Sequence, residues 1–478
     1  MNKEPTAFDG AYANRALILL SLTTALITYV DIMLTPALPT IASEYGVSIA
    51  QTSLVISLYT VFGVAVMPII GKLGDIYGKK RVLVYTLVVY LVMATTTSFA
   101  PTFNWILVSR FFQGVGLGAF PLSFSLAREE FPRDLVPRAQ GVISAVQVAG
   151  GGAGILGGAV VTLYYGWQAN YHLIMPCIFS LAILTVLLVR ESPNRQPGVR
   201  LDYVGAGWLG ACLTVIVLGL SEGATWGWTS LPTFCLVIGG VLALIPLSLF
   251  ESRREDPVLN LRLLRQRNIF VANLLVFIWG VSTYIAFQAI TYYMQLPSPA
   301  GFGLDTVQTG VWLFPMVVVI MPVAYGIGTV LPEYGVKPFL YFGAFLAMVG
   351  FLSLAMASTP LEIGASMTIY AGGGGLMSVS IQNLLVLSLD KREMGLGTSL
   401  NTVFRYIGQS IGAPVSGAIL STYVTTEVVK GHATELPTHV AFQLCFVTAI
   451  LLFVVYGLTA IPAHEVLGPS GLAPLEHR

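Results

Sequence analysis

Three charged side chains stand where charge is costly. Asp31 lies in YVDIMLTPALP, Arg110 in LVSRFFQGVGLG and Arg405 in NTVFRYIGQSIGAP, each inside a long apolar run. A charged group at the centre of a bilayer costs roughly 2.5–3.5 kcal/mol on insertion scales. It persists where it faces a partner or a wet cavity, so each is a candidate for handling protons or charged ligands. Asp31 falls seven residues before the end of its run (16–38), and Arg110 about seven residues into its own (103–127). If alternate runs cross in opposite directions, the two share one depth and can pair. The pair has two readings: a structural lock between helices, or a proton-coupling pair. A carboxyl poised between desolvation and a neighbouring cation can bind and release protons. Arg405 has three: a substrate contact, a partner for a distant acid, or an arginine satisfied by snorkelling or by carbonyls.

The surrounding composition is that of a polytopic membrane protein. Of 478 residues, 55% are hydrophobic and 10% charged, against about 25% charged in a soluble domain. A net charge of +1 argues against a nucleic-acid partner. Cys177, Cys212, Cys235 and Cys445 form no CxxC pair, and the histidines show no ligand spacing. No metal or cofactor is expected. HExxH, GxSxG and GxxxxGK[ST] are absent, which argues against an enzyme or a primary ATPase.

Fourteen apolar runs are predicted to span, at 16–38, 51–71, 81–100, 103–127, 139–163, 170–190, 203–221, 231–250, 269–294, 306–329, 338–358, 361–386, 396–421 and 441–462. The first is too long for a removable signal peptide. Of 24 Lys and Arg residues, 21 fall in one alternate set of loops and one, Lys430, in the other; Arg110 and Arg405 remain inside runs. That asymmetry places both termini in the cytoplasm.

Glycines recur at one offset. Gly114 and Gly116 match Gly372 and Gly374, and Gly150 and Gly154 match Gly408 and Gly412, all 258 residues apart. Runs 1–6 thus repeat as runs 9–14. The predicted organisation is a six-helix half (1–200), an inserted helix pair (201–252) with the look of a peripheral hairpin, and a second six-helix half (253–478). Paired halves with a substrate site between them near the midplane are a plan of secondary transporters. Polar and aromatic residues inside spans are cavity candidates: Gln113, Gln147, Gln288, Asn383, Tyr59, Phe62 and Tyr292, together with Arg405. Glu222 and Glu362, at outer helix ends, are candidate vestibule charges.

Several motifs carry a resemblance to a known family. The loop GKLGDIYGKKRV, with Gly71, Gly74, Asp75, Gly78, Lys79, Lys80 and Arg81, resembles the signature loop of the major facilitator superfamily. That loop usually has Arg after the Asp; here Ile76 stands there, and Arg128 and Arg133 are candidate substitutes. The stretch from Arg110 through Gln113 to Gly116 resembles the superfamily's helix 4 motif, in which the arginine is tied to proton transfer. Gly150, Gly154, Gly157 and Gly158 resemble the antiporter motif of helix 5, although Gly154 stands where the motif has proline. LDYVGAGWLG, ESRREDPVLNLRLL and the span number resemble the fourteen-span drug:proton antiporters, in which the helix 1 acid precedes ALP by seven residues rather than six. The resemblance implies an all-α major facilitator fold and a conformational-switch loop at 71–81. It also implies proton-coupled export of drugs or lipophilic cations by alternating access. The alternative is a proton symporter or exchanger of a specific metabolite. The implied setting is the plasma membrane, with protons, lipid and a small molecule as partners and the monomer as functional unit.

Overall fold

Helix starts follow capping chemistry. Ser48, Thr102, Ser230, Asp305, Thr359 and Thr438 each accept a backbone N–H from the first turn of the helix that follows. The computed structural model describes residues 10–132, 135–192, 201–254, 257, 261–389, 394–429 and 432–467. Its helices are α1 Gly10–Tyr45, α2 Ile49–Tyr77, α3 Lys79–Ser98, α4 Phe103–Glu130, α5 Val136–Tyr165, α6 Trp167–Leu188 and α7 Tyr203–Trp226. They continue as α8 Leu231–Ser252, α9 Arg267–Gln295, α10 Thr306–Tyr334, α11 Lys337–Ala355, α12 Pro360–Val386, α13 Met394–Thr422 and α14 His439–Ala460.

Twelve of these helices are long and apolar enough to cross a membrane. The other two, α12 and α13, are 27 and 29 residues long but are diluted by Gly, Ser, Thr and Asn. Fourteen helices are thus present among the described residues, and twelve of the fourteen expected spans meet the length and hydropathy of a membrane crossing. The all-α expectation also missed a hairpin between α13 and α14. There β1 (Val424–Val429) pairs antiparallel with β2 (His432–Pro437), Thr425 facing Leu436; the β-branched run VTTEVV suits a strand.

Two helices are broken. α1 runs as an α-helix to Ile32, passes through a 3-10 turn at Thr35–Ala37 and resumes at Leu38. Pro36 cannot donate the N–H that an unbroken helix needs. α4 breaks at Gly114–Gly118, where GVGLG forms a 3-10 turn. α9, the counterpart of α1, is continuous through Arg267–Gln295.

The halves repeat the same packing. α1 lies against α5, and α9 against α13. A Cβ on Gly150 would collide with the Ala25 carbonyl, and one on Gly154 would sit 2.7 Å from that of Tyr29. In the second half Gly408 meets the Phe277 carbonyl and Gly412 that of Val281. Small residues let the two backbones touch. The helix 4 match does not carry over: Gly114 abuts the Tyr59 carbonyl, while Gly372 has open space.

The halves meet along two seams, α2 with α13 and α5 with α10. Hydrogen bonds between the halves, several of them made by α9 with α1 and α2, gather on the face away from the chain ends. Ala50 N–H donates to Ser421 Oγ (3.1 Å), Gln288 Nε2 to the Ile49 carbonyl (3.3 Å), and Gln295 Nε2 to the Pro36 carbonyl (2.8 Å). Thr52 and Tyr292 hydroxyls meet at 2.5 Å, and Thr306 Oγ1 donates to the Ala159 carbonyl (3.0 Å). The inserted pair is not wholly peripheral. α8 is largely exposed, but α7 packs on both α2 and α13. Ser221 Oγ donates to the Ala50 carbonyl (2.8 Å), and Trp228 Nε1 to Thr422 Oγ1 (2.9 Å), so the insert holds both halves.

Two expectations follow from this packing. Gly408→Ala should destabilise the protein by about 1–3 kcal/mol through overpacking, whereas Gly372→Ala should be neutral or slightly stabilising; thermal unfolding in detergent compares them. In a cysteine-free background, Ala50→Cys with Ser421→Cys should form a disulfide under mild oxidation, read as a mobility shift that reductant reverses. No crosslink would count against the seam.

Candidate transport site

Asp31 is the penultimate residue of the first segment of α1, directly before the break. Its carboxylate therefore lies at the negative end of a helix dipole. It is 6% exposed, and its Oδ1 has no hydrogen-bond partner among the described residues. Arg110 occupies the last turn before the break in α4, the dipole position that suits a cation. It is fully buried. Its Nε donates to the Val55 carbonyl (3.1 Å), and its Nη1 to Gln113 Oε1 (2.8 Å) and the Val30 carbonyl (3.5 Å). The guanidinium lies 4.4 Å from the centre of the Tyr59 ring, within cation–π range.

The expected Asp31–Arg110 ion pair is not formed: the ion pairs among the described residues involve neither side chain. Arg110 is drawn to carbonyls because the break in α1 and the close crossing with α2 leave them within its reach. The two charges still interact, and Arg405 is the second cation whose field reaches Asp31. Tyr59, Tyr90, Tyr284 and Tyr406 also lie within Coulombic reach of Asp31. Arg110 Nη2 and Gln113 Nε2 join Asp31 Oδ1 as buried polar atoms without a partner. Each such atom costs about 1–3 kcal/mol, and their concentration marks a site rather than a packed core.

The remaining candidates separate. Tyr59 and Gln113 belong to this centre. Gln147 is half-buried on α5. Phe62 does not face the centre; it packs on Phe111 and Phe112 and lines an apolar groove with Ala206 and Gly210 of α7. Gln288 and Tyr292 are seam residues. Asn383 turns back to the Val379 carbonyl of its own helix (2.9 Å). Glu222 accepts from Gln51 Nε2 (3.3 Å), and Glu362 accepts from the Ser358 and Thr359 N–H groups, which leaves it a capping residue. Sequence reasoning missed Tyr284 and Tyr406, because nothing in a chain rich in aromatics marks the ones that face an acid.

The 71–81 loop is held differently from the expectation. Asp75 pairs with Lys79 at 3.5 Å, and Lys79 reaches Glu129 of α4 at 2.5 Å. Arg128 is exposed, and Arg133 lies outside the described residues. Gly71 stands near Pro121, and Gly78 has φ +108°. Glu191, just past α6, accepts from the N–H groups of Lys80 (3.1 Å) and Arg81 (3.2 Å), and a Cβ on Gly78 would strike its carboxylate. Lys80 Nζ donates to the Val186 carbonyl (2.7 Å). The second half repeats this device. Glu465, past α14, accepts from Val336 (2.7 Å) and Lys337 (3.0 Å) beside Gly335, φ +86°. A carboxylate on exposed N–H groups of a helix start is favoured by the dipole. In sequence the partners are more than a hundred residues apart, so no local pattern exposes them.

Comparisons with known proteins agree with this architecture. An uncharacterized MFS-type transporter of Mycobacterium tuberculosis is 30% identical over 396 residues, 81% of this chain. The chain spans 57% of that relative's length. The cephamycin export protein of Amycolatopsis lactamdurans is 24% identical over 477 residues, 96% of this chain and 95% of its own. Among solved structures, a bacterial homolog of the human lysosomal transporter Spinster, inward-facing and unoccupied, superposes with a TM-score of 0.69. It is 13% identical and covers 95% of this chain and 98% of its own. The family model of the Major Facilitator Superfamily matches residues 20–413. The chain belongs to the Major Facilitator Superfamily, a family of transporters rather than enzymes.

Proposed function

We propose that this protein is a proton-coupled exporter of small amphipathic, drug-like molecules bearing a cationic group, working by alternating access. The observation that carries the reading is Asp31: a buried carboxylate at the negative end of a broken helix, lacking a hydrogen-bond partner, with guanidinium groups nearby. Proton and substrate cation compete for it, which makes the cycle an exchange. Arg110 holds the carbonyls around it and supplies a fixed positive field. The bonds between the halves gather on one face, while on the other Lys72 Nζ donates to the Pro257 carbonyl (3.4 Å); the uneven distribution suits a carrier that opens one side at a time. The cephamycin exporter's name supports export of a drug-like molecule. The reading includes fourteen crossings, both termini in the cytoplasm, the plasma membrane as location and a functional monomer. A second reading, cotransport or exchange of one metabolite, is favoured by Gly154 standing where the helix 5 motif carries proline.

The test is reconstitution in liposomes with a pH-reporting dye inside and an imposed proton gradient. Ethidium should trigger proton movement in the wild type, and Asp31→Asn should cut that movement at least tenfold. Undiminished coupling in Asp31→Asn would sink the proposal.

A further inference from the structure

Arg405 enters the reading above only through its field at Asp31. It is the twelfth residue of α13 (Met394–Thr422), so about 16 Å of helix separates it from the nearer end. That is too far for snorkelling to be its natural solution. It is half-buried, with its guanidinium 5.1 Å from the Tyr406 ring centre. It makes no ion pair among the described residues, and the side-chain partner it has there is the neutral hydroxyl of Tyr406. Arg110, by contrast, is occupied by two carbonyls and Gln113. The centre therefore holds one acid and two guanidiniums, neither of them ion-paired among the described residues, and Arg405 is the one that holds no carbonyl and is half-exposed.

Its surroundings belong to both halves. Asp31, from the first half, attracts Arg405 without meeting it. Tyr284 of α9 is seated by Gly412, whose Cβ would lie 2.9 Å from the Tyr284 Cβ, and stacks on Phe287 with ring centres 6.5 Å apart. Tyr284 feels both Asp31 and Arg405. Opposite charges, one from each half, thus act on the same aromatic residue.

We propose that Arg405 docks an acidic group of the substrate while Asp31 takes its cationic group, so that the transported class is a zwitterionic aromatic amphiphile. Such a molecule neutralises both unpaired charges and ties the halves together when bound. A guanidinium presents a planar fork that matches a carboxylate in two parallel hydrogen bonds. The inference rests on the proposed function for Asp31 as the cation site, but its test is equilibrium binding without a proton gradient. A failure of proton coupling and a failure of acid recognition are therefore read separately.

Three xanthene dyes serve as probes: rhodamine B, a zwitterion; its ethyl ester, a cation; and fluorescein, an anion. Binding to the purified protein is followed by fluorescence anisotropy. The wild type should bind rhodamine B about 10- to 100-fold more tightly than the ester, the range of a charge-assisted hydrogen bond, and more tightly than fluorescein. Arg405→Gln should bring the ratio of rhodamine B to ester near one, and Arg405→Lys should retain part of it. Asp31→Asn should weaken both dyes alike and preserve the ratio. A wild-type ratio near one, a ratio surviving in Arg405→Gln, tighter binding of fluorescein, or no binding of rhodamine B overturns the inference. An equal loss of all three dyes in Arg405→Gln overturns it in favour of a structural arginine.

Discussion

Three helices of the first half converge on one guanidinium. Arg110 holds the Val30 carbonyl of α1, the Val55 carbonyl of α2, and Gln113 of its own helix, with the Tyr59 ring beneath it. In a bilayer no water waits to satisfy a carbonyl freed by a helix break, so protein must do it. The break after Ile32 is tolerable because Arg110 and the close packing of α5 surround it. The cost is that Arg110 is spent on carbonyls, and Asp31 keeps its unsatisfied oxygen. That leftover is what the proposed role of Asp31 toward a proton or a cation draws on.

The same economy shapes the second half differently. α9 is unbroken, and the side chain facing the centre at its corresponding level is Thr283, bonded to the Tyr370 hydroxyl, which also accepts from Trp279 Nε1 (3.0 Å). The glycine contacts set this level, since Tyr29 and Val281 occupy matching places against Gly154 and Gly412. One half thus carries a buried acid with an unsatisfied oxygen, and the other a bonded hydroxyl network and an arginine that makes no ion pair among the described residues. Duplicated architecture thus carries unlike chemistry at matching levels.

The closing face gains its strength from an unexpected source. α7, a helix outside the repeat, bonds to α2 through Ser221, and the turn after it reaches α13 through Trp228. Any rocking of the halves must therefore stretch or carry these bonds. On the other face, Glu191 and Glu465 pin the starts of α3 and α11. Each half thereby ties its own helix ends together, and Lys72 Nζ reaches across to the Pro257 carbonyl (3.4 Å).

Hydropathy was enough to expose the membrane class; glycine spacing pointed to a two-half plan, and charge inside apolar runs pointed to Asp31, Arg110 and Arg405 as candidate groups. Those signals are legible because a bilayer penalises every polar residue and rewards every small one at a helix contact, so exceptions stand out one residue at a time. Pairing is another matter. Whether Arg110 meets Asp31 or a carbonyl depends on a helix break at Pro36 and on where α2 crosses. Whether Phe62 or Tyr284 faces the acid depends on helix rotation, where one residue of slip is about 100°. The sequence alone determined which residues carry charge into the membrane. Only the tertiary structure decided which of them were left without a partner, because that depends on distances between helices far apart in the chain.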